Sequence, residues 1–313
     1  MSAVLPITLS PGRRWLRRLL FGLISLAALL ALVVLALLWR SQQLRERRIE
    51  LPAHPGAPLN LVSDATALAR GRYLYASRGC AECHGADGTG RTVIDAGSLQ
   101  VVGPNLTTGP QGVTAGYDLA QWERTLRHGV KPDGRPVLIM PSEDYAGLTD
   151  QDLTAIVAYV RQLPPKAGLP ARMDWPLPLQ LLYGAGIAQD AAAKINHRQA
   201  PPQPIPASVS VAHGRYVAQM CQGCHGPLLS GGRIPGGPPD WPAAANLTPA
   251  PDGALARYRD ADSFVAMLRS GRDPQGRHLQ VMPFETLAAL DDTDARALYA
   301  YLKTLPAQAT GSR

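Results

Sequence analysis

The string Cys-x-x-Cys-His occurs twice, as Cys80-Ala-Glu-Cys83-His84 and Cys221-Gln-Gly-Cys224-His225, and the chain has no other cysteine. Two thiols at this spacing can add across the two vinyl groups of one porphyrin. The histidine that follows is then placed beneath the iron as its axial ligand. The pattern reads as covalent haem attachment, one haem c per copy. A redox dithiol has no need of a histidine directly after its second cysteine. A structural zinc site of two Cys and two His normally draws on a closely spaced His pair, and the sequence contains none.

The opposite face of each iron separates an electron carrier from a catalytic haem. Met140 and Met282 stand 60 and 61 residues after Cys80 and Cys221, and each directly precedes a proline. A lone methionine is ordinarily core filler. A duplicated Met-Pro at nearly constant distance instead predicts thioether ligation, which favours ferrous iron and raises its potential. The iron ligands are therefore His84 with Met140 and His225 with Met282. His128 is the rival, but Ser270 takes its place in the second copy, and His213 and His278 have no counterparts in the first. Arg135 and Arg277, close to the methionines, could pair with haem propionates or simply face solvent. Trp122 and Phe264 should pack the haem clefts. Pro104 and Asn105 should shape the loop beside the axial histidine, with Ala245 in place of the proline in the second copy.

The elements that position these residues are themselves duplicated. A shift of 141–142 residues superposes Asn105-Leu106-Thr107 on Asn246-Leu247-Thr248, Met140-Pro141 on Met282-Pro283, Tyr159 on Tyr301 and Pro164 on Pro306. Gly71-Arg72-Tyr73 falls on Gly214-Arg215-Tyr216 at a shift of 143. Each copy reads as helical. Asp64 can cap a helix that runs into the first attachment motif. A short helix covers Asp118 to His128, matched by Asp260 to Ser270. A closing helix starts at Thr149 and stops before Pro164, and its twin runs from Asp291 to Leu305. No alternating strand pattern of useful length stands out, so the fold class is all-α.

The formal charge of +7 is unevenly placed, because residues 1–50 hold eight arginines and two glutamates. The remainder has 23 basic against 22 acidic side chains, which argues against nucleic-acid binding and for a membrane flank. Leu19 to Trp39 is an uncharged, predominantly apolar run of 21 residues, long enough to cross a bilayer as a helix. It lacks the short apolar centre and small-residue cleavage site of a removable signal and reads as an uncleaved anchor. Arginines flank both ends, so orientation comes from haem c chemistry, which in bacteria takes place outside the cytoplasmic membrane. The expected organisation is a cytoplasmic segment (1–18), a membrane span (19–39), a tether (40–65), a first haem domain (66–165), a Pro-rich linker (166–207), a second haem domain (208–308) and a tail (309–313). Part of the linker, near 179–195, looks helical.

Together these features resemble tandem class I cytochrome c domains. The resemblance rests on the Gly-Arg-Tyr helix, Cys-x-x-Cys-His-Gly, the Gly103-Pro-Asn-Leu-Thr107 string, Met-Pro and the closing Leu-Pro helix. It covers nearly all of 66–165 and 208–306 and extends to diheme cytochromes c and to cytochrome subunits of periplasmic dehydrogenases. Those subunits commonly carry three haem motifs where this chain has two. The resemblance implies a helical domain around each haem, His/Met ligation and one-electron transfer through an exposed haem edge. A membrane-anchored periplasmic carrier follows, taking electrons from a dehydrogenase or quinol-linked complex and delivering them to a terminal oxidase or soluble carrier, with no catalytic residues of its own. The alternative is a diheme redox enzyme such as a peroxidase, with one iron open to substrate.

Overall fold

The computed structural model describes residues 11–52, 58–235, 237 and 240–312. The first ten residues of the cytoplasmic segment, residues 53–57 of the tether and Arg313 of the tail lie outside the described residues. A long helix, α1 (Pro11–Glu46), precedes a first half made of α2 (Ala65–Ser77), α3 (Cys80–His84), α4 (Leu119–His128), α5 (Ser142–Tyr145) and α6 (Asp150–Arg161). The connecting segment carries α7 (Leu177–Gly184) and α8 (Ala191–Lys194). The second half repeats the first as α9 (Val211–Val217), α10 (Gln222–His225), α11 (Ala261–Ser270), α12 (Phe284–Ala288) and α13 (Asp292–Leu302).

Local chemistry starts and stops these helices where the sequence marks them. Asp64, Asp118 and Thr149 accept from the amides of Ala67, Gln121 and Asp152, satisfying N–H groups that the first helical turn leaves without partners. Asp260 and Asp291 do the same for Ser263 and Asp294 in the second half. Helices α4 and α11 end at Gly129 and Gly271, whose φ values of 64° and 69° suit glycine and few other residues.

Within each half, the first and last helices cross at closest approach. A Cβ at Gly71 would overlap the Ala155 carbonyl, and one at Gly214 would overlap that of Ala297. Only glycine lets the two backbones meet there, which explains why both copies carry it. Around each crossing lies an apolar core. Leu74, Tyr75, Trp122, Leu126, Leu153, Ile156 and Val157 build the first, and Val217, Phe264, Leu268, Leu298 and Leu302 the second.

The all-α expectation requires a correction, since the chain is mostly helical but includes a small sheet. Strands β1 (Arg91–Ala96) and β2 (Leu99–Gly103) pair antiparallel, and β3 (Arg172–Met173) adds to the free edge of β2. The physical cause is a pair of β-branched runs, Thr92-Val93-Ile94 and Val101-Val102, joined by Gly97-Ser98. Gly97 has a φ of 59°, as a two-residue hairpin turn demands of its first residue. Both strands are short and half exposed, so no strong alternation marks them.

The chain divides into two compact units, Met1–Glu46 with Pro176–Ala188, and Arg47–Trp175 with Gln189–Arg313. Both halves of the duplication belong to the second unit. In the first, the large side chains of α1 from Trp15 to Leu35 are exposed, and α7 packs beside the helix near Leu37. Residues Trp15–Glu46 form a helix long and apolar enough to cross a bilayer.

Candidate functional site

Each attachment motif forms a short helix, so its two cysteines lie about one turn apart on one face. None of the four cysteines forms a disulfide. Burial, helped by the neighbouring Cys83 thiol, pushes Cys80 up to about 12. Burial and Asp144 do the same to Cys221. A reactive dithiol is served by the opposite shift.

The two histidines are held alike. His84 Nδ1 lies 2.8 Å from the Pro104 carbonyl oxygen, and His225 Nδ1 lies 2.7 Å from that of Ala245. An Nδ1–H donated to a carbonyl leaves Nε2 bare, the form an iron ligand requires. Burial lowers both imidazoles' pKa, which favours that neutral form. The carbonyl is a backbone group, so replacing Pro104 by Ala245 leaves the contact intact. Around it, Asn105 donates to the carbonyls of Pro110 and Lys166 and accepts from Thr107 N–H. Asn246 repeats this with the Gln308 carbonyl and Thr248 N–H. The Asn-Leu-Thr string thus ties the axial-histidine loop to the chain leaving the last helix.

Met140 packs against the same core as Cys80, and Met282 against the same core as Cys221. The prolines that follow adopt matching backbones, φ −79° and ψ 64° for Pro141, φ −78° and ψ 72° for Pro283. Val281, just before Met282, holds a φ of 70°, a region that β-branched residues avoid, so the backbone is strained at this point. Trp122 is buried and its indole N–H has no protein acceptor, leaving a donor suited to a carboxylate such as a haem propionate. Its counterpart Phe264 sits between Tyr258 and Tyr299. Arg135 and Arg277 each donate through Nε to a nearby aspartate, Asp133 and Asp273, at 2.7 Å. His128 stands against His197, their Nδ1 atoms 3.1 Å apart. His278 stacks edge-on to Phe284. The donor set therefore fits a covalently held haem in each half.

The halves meet across a buried polar interface that obeys an approximate two-fold rule. Tyr73 of α2 donates to Asp294 Oδ2 at the start of α13, and Tyr216 of α9 donates to Asp152 Oδ2 at the start of α6, both at 2.7 Å. Each tyrosine oxygen also accepts from the cap residue of the helix it reaches, Asp291 N and Thr149 N at 3.3 Å. Each aspartate is further held by its own half. Arg70 grips Asp152 with two bonds of 2.8 Å, and His213 Nε2 lies 2.6 Å from Asp294 Oδ1. Arg78, two residues before Cys80, crosses the interface to Asp294 Oδ2 at 2.7 Å and is almost wholly buried.

The same interface joins each distal helix to the other half's attachment motif. Helix α12, which follows Met282-Pro283, packs on α2 and α3, and Thr286 N donates to Glu82 Oε1 at 3.0 Å. Helix α5, which follows Met140-Pro141, packs on α10, with the Asp144 carboxylate against Gly223. Burial and the neighbouring Glu143 raise Asp144 to about 7, with Lys194 opposing. Tyr73, Arg78, Asp152, Tyr216 and Asp294 join the halves, a role that motif reading gave to none of them. The doubled tyrosine and the doubled third-position aspartate were the available signal.

Two helical halves, each closing a glycine-pinned helix crossing around a Cys-x-x-Cys-His motif, define a c-type cytochrome with duplicated domains. The cytochrome c family model matches residues 68–164 and again 211–306, and the chain belongs to that family. It carries two covalently bound haem c groups and is an electron-transfer protein. Over 323 residues it is 28% identical to a diheme cytochrome c-type protein of Cereibacter sphaeroides, a match covering 90% of this chain and 98% of the relative. It is also 28% identical to the fructose dehydrogenase cytochrome subunit of Gluconobacter japonicus, over 82% of this chain. A third relative, the cytochrome c subunit of the quinone alcohol dehydrogenase of Gluconobacter oxydans, is 27% identical over 80% of it. The chain spans little more than half the length of these last two, 56% and 57%.

Proposed function

We propose that the chain is a membrane-anchored relay of the periplasmic face, passing single electrons from a dehydrogenase or quinol-linked complex through two haem domains (66–165 and 208–308) to a terminal oxidase or soluble carrier. The haems supply one-electron chemistry when bound. The chain's residues fix where they sit and how readily they hold an electron. His84 and Met140 ligate the first iron, His225 and Met282 the second, leaving neither iron a position for substrate. α1 is the anchor.

The reciprocal packing of α5 and α12 on the opposite attachment helices carries this reading. Each attachment helix then contacts the other half, an arrangement suited to transfer inside the chain. Two variants test the ligation. Met140→Ala and Met282→Ala should each abolish about half of the ferric thioether-to-iron charge-transfer band and admit carbon monoxide to one reduced haem. Rapid carbon monoxide binding by the unaltered protein would instead identify an open iron and a redox enzyme.

A further inference from the structure

Among the described residues, the linker helix α7 is the one apolar helix outside the haem halves and the long helix α1, and nothing in the electron-transfer role accounts for it. Residues 177–188 read Leu-Pro-Leu-Gln-Leu-Leu-Tyr-Gly-Ala-Gly-Ile-Ala, without a charged side chain. Pro176 caps the helix and Pro178 sits in its first turn, where a missing N–H costs nothing. Eight residues are too few to hold a helix alone in water, so packing must hold this one.

That packing comes from α1, which shares a compact unit with it. Tyr183 and Gly184 are buried, and a Cβ at Gly184 would overlap the Leu37 carbonyl, so the two backbones nearly touch. Leu179 and Leu181 are half-buried, and the other large apolar side chains stay outside. Leu177 is 53% exposed, Leu182 43% and Ile187 74%.

The level of contact on α1 says what covers them. From Leu16 to Leu35 the large side chains of α1 are exposed, while Leu37 and Leu38 are half-buried and Ser41 is fully buried. Helix α7 therefore meets α1 where its apolar run ends, beside Trp39 and just before Arg40 and Arg45. Aromatic and basic residues at the end of a span mark the headgroup layer. An apolar helix about 12 Å long fits into that layer lying on its side. Its exposed leucines continue the surface that α1 already presents to hydrocarbon, and the arginines on the neighbouring turns match anionic headgroups.

We propose that α7 and Ile187 form a second lipid-contacting element, seated in the interfacial layer of an anionic bilayer, so that the linker between the haem halves touches the membrane as well as the N-terminal anchor. The inference rests on α1 being a bilayer anchor.

The four native cysteines are held in thioether bonds to haem, so one introduced cysteine can be spin-labelled selectively. Leu29→Cys, Leu182→Cys, Ile187→Cys and Val209→Cys replace exposed side chains, and haem spectra verify that each protein folds. The full-length, haem-loaded, reduced protein is placed in phosphatidylcholine–phosphatidylglycerol vesicles. Label accessibility to oxygen and to a water-soluble nickel chelate is then measured. Labels at 182 and 187 should favour oxygen, as at 29, while that at 209 favours nickel. Nickel access at 182 and 187 with oxygen preference kept at 29 overturns this inference and leaves the anchor standing. Exclusion of both reagents at 182 and 187 also overturns it, because a protein surface then covers the helix. Nickel access at 29 removes the anchor reading and this inference with it.

Discussion

His84 and His225, proposed above as axial ligands, show how little chemistry that role needs from its neighbours, and how firmly that little is supplied. One backbone carbonyl per ring fixes the tautomer, and the asparagine that follows it in the chain holds the loop that offers it. Because the acceptor is a main-chain oxygen, the side chain at 104 or 245 is free to differ between the copies. Asn105→Ala should loosen that loop, lower thermal stability by about 1–3 kcal/mol and broaden the first haem's redox transition, as read by spectroelectrochemistry. Asp144 belongs to the same scale. Its carboxyl lies against the second attachment motif, raised to about 7 by burial and Glu143. Raising the pH deprotonates it and places a negative charge beside that haem, which favours ferric iron. The potential of the second haem should therefore fall between about pH 6 and pH 8, and Asp144→Asn should flatten that slope while leaving the first haem's titration unchanged.

At the level of elements, two features hold the halves in shape. The first is the crossing of α2 with α6 and of α9 with α13, closed to any side chain at Gly71 and Gly214. Gly71→Ala should cost about 1–3 kcal/mol despite the better helix propensity of alanine, because the methyl group would force two backbones apart. Denaturant unfolding measures this, and an unchanged midpoint would show that the crossing can relax. The second is the pair of tyrosine-to-aspartate bonds between the halves. Burial pushes Asp294 up, but Arg78 and the bonds from Arg78, Tyr73 and His213 outweigh it and bring the carboxyl down to about 2. Since the folded value lies below the unfolded one of about 4, this group's contribution is complete above pH 4 and lost as pH falls towards 2. A carboxyl held that far below its ordinary value contributes about 2–3 kcal/mol at neutral pH. In Asp294→Asn the acid-induced loss of stability over that window should shrink. The variant should also be less stable at neutral pH by about 3–5 kcal/mol, because Arg78 is left buried without its anion.

For the molecule as a whole, the duplication makes a single unit of two similar bodies, and the differences between them break the symmetry. Arg78 faces Gln219 in the alignment, Arg70 faces His213, and Asp144 faces Thr286, so charge at the interface is not shared equally. The two haems therefore lie in unlike fields and should titrate as two separate steps. Replacing residues 1–46 by a cleavable export signal should release a soluble protein with both haem spectra intact, checked by fractionation and by haem-to-protein ratio. Persistent membrane association without α1 would show that α1 is not the only part of the chain that holds it to the membrane.

The haem chemistry, the duplication, the helix starts and the long apolar segment can all be read along the chain, since each depends on residues close together in it. A Cys-x-x-Cys-His string, a capping aspartate or an uncharged run of 21 residues announces itself locally. The hairpin at 91–103 was legible in part, through its β-branched runs and Gly97, but half-exposed strands lack the alternation that would have declared them. Which residues join the halves became visible only in the folded molecule. Tyr73 and Asp294, or Tyr216 and Asp152, are remote in sequence, and each has an adequate local explanation as helix surface or helix cap. Their pairing depends on how two folded surfaces dock, so the doubling of tyrosine and aspartate along the chain marks the residues but not their partners.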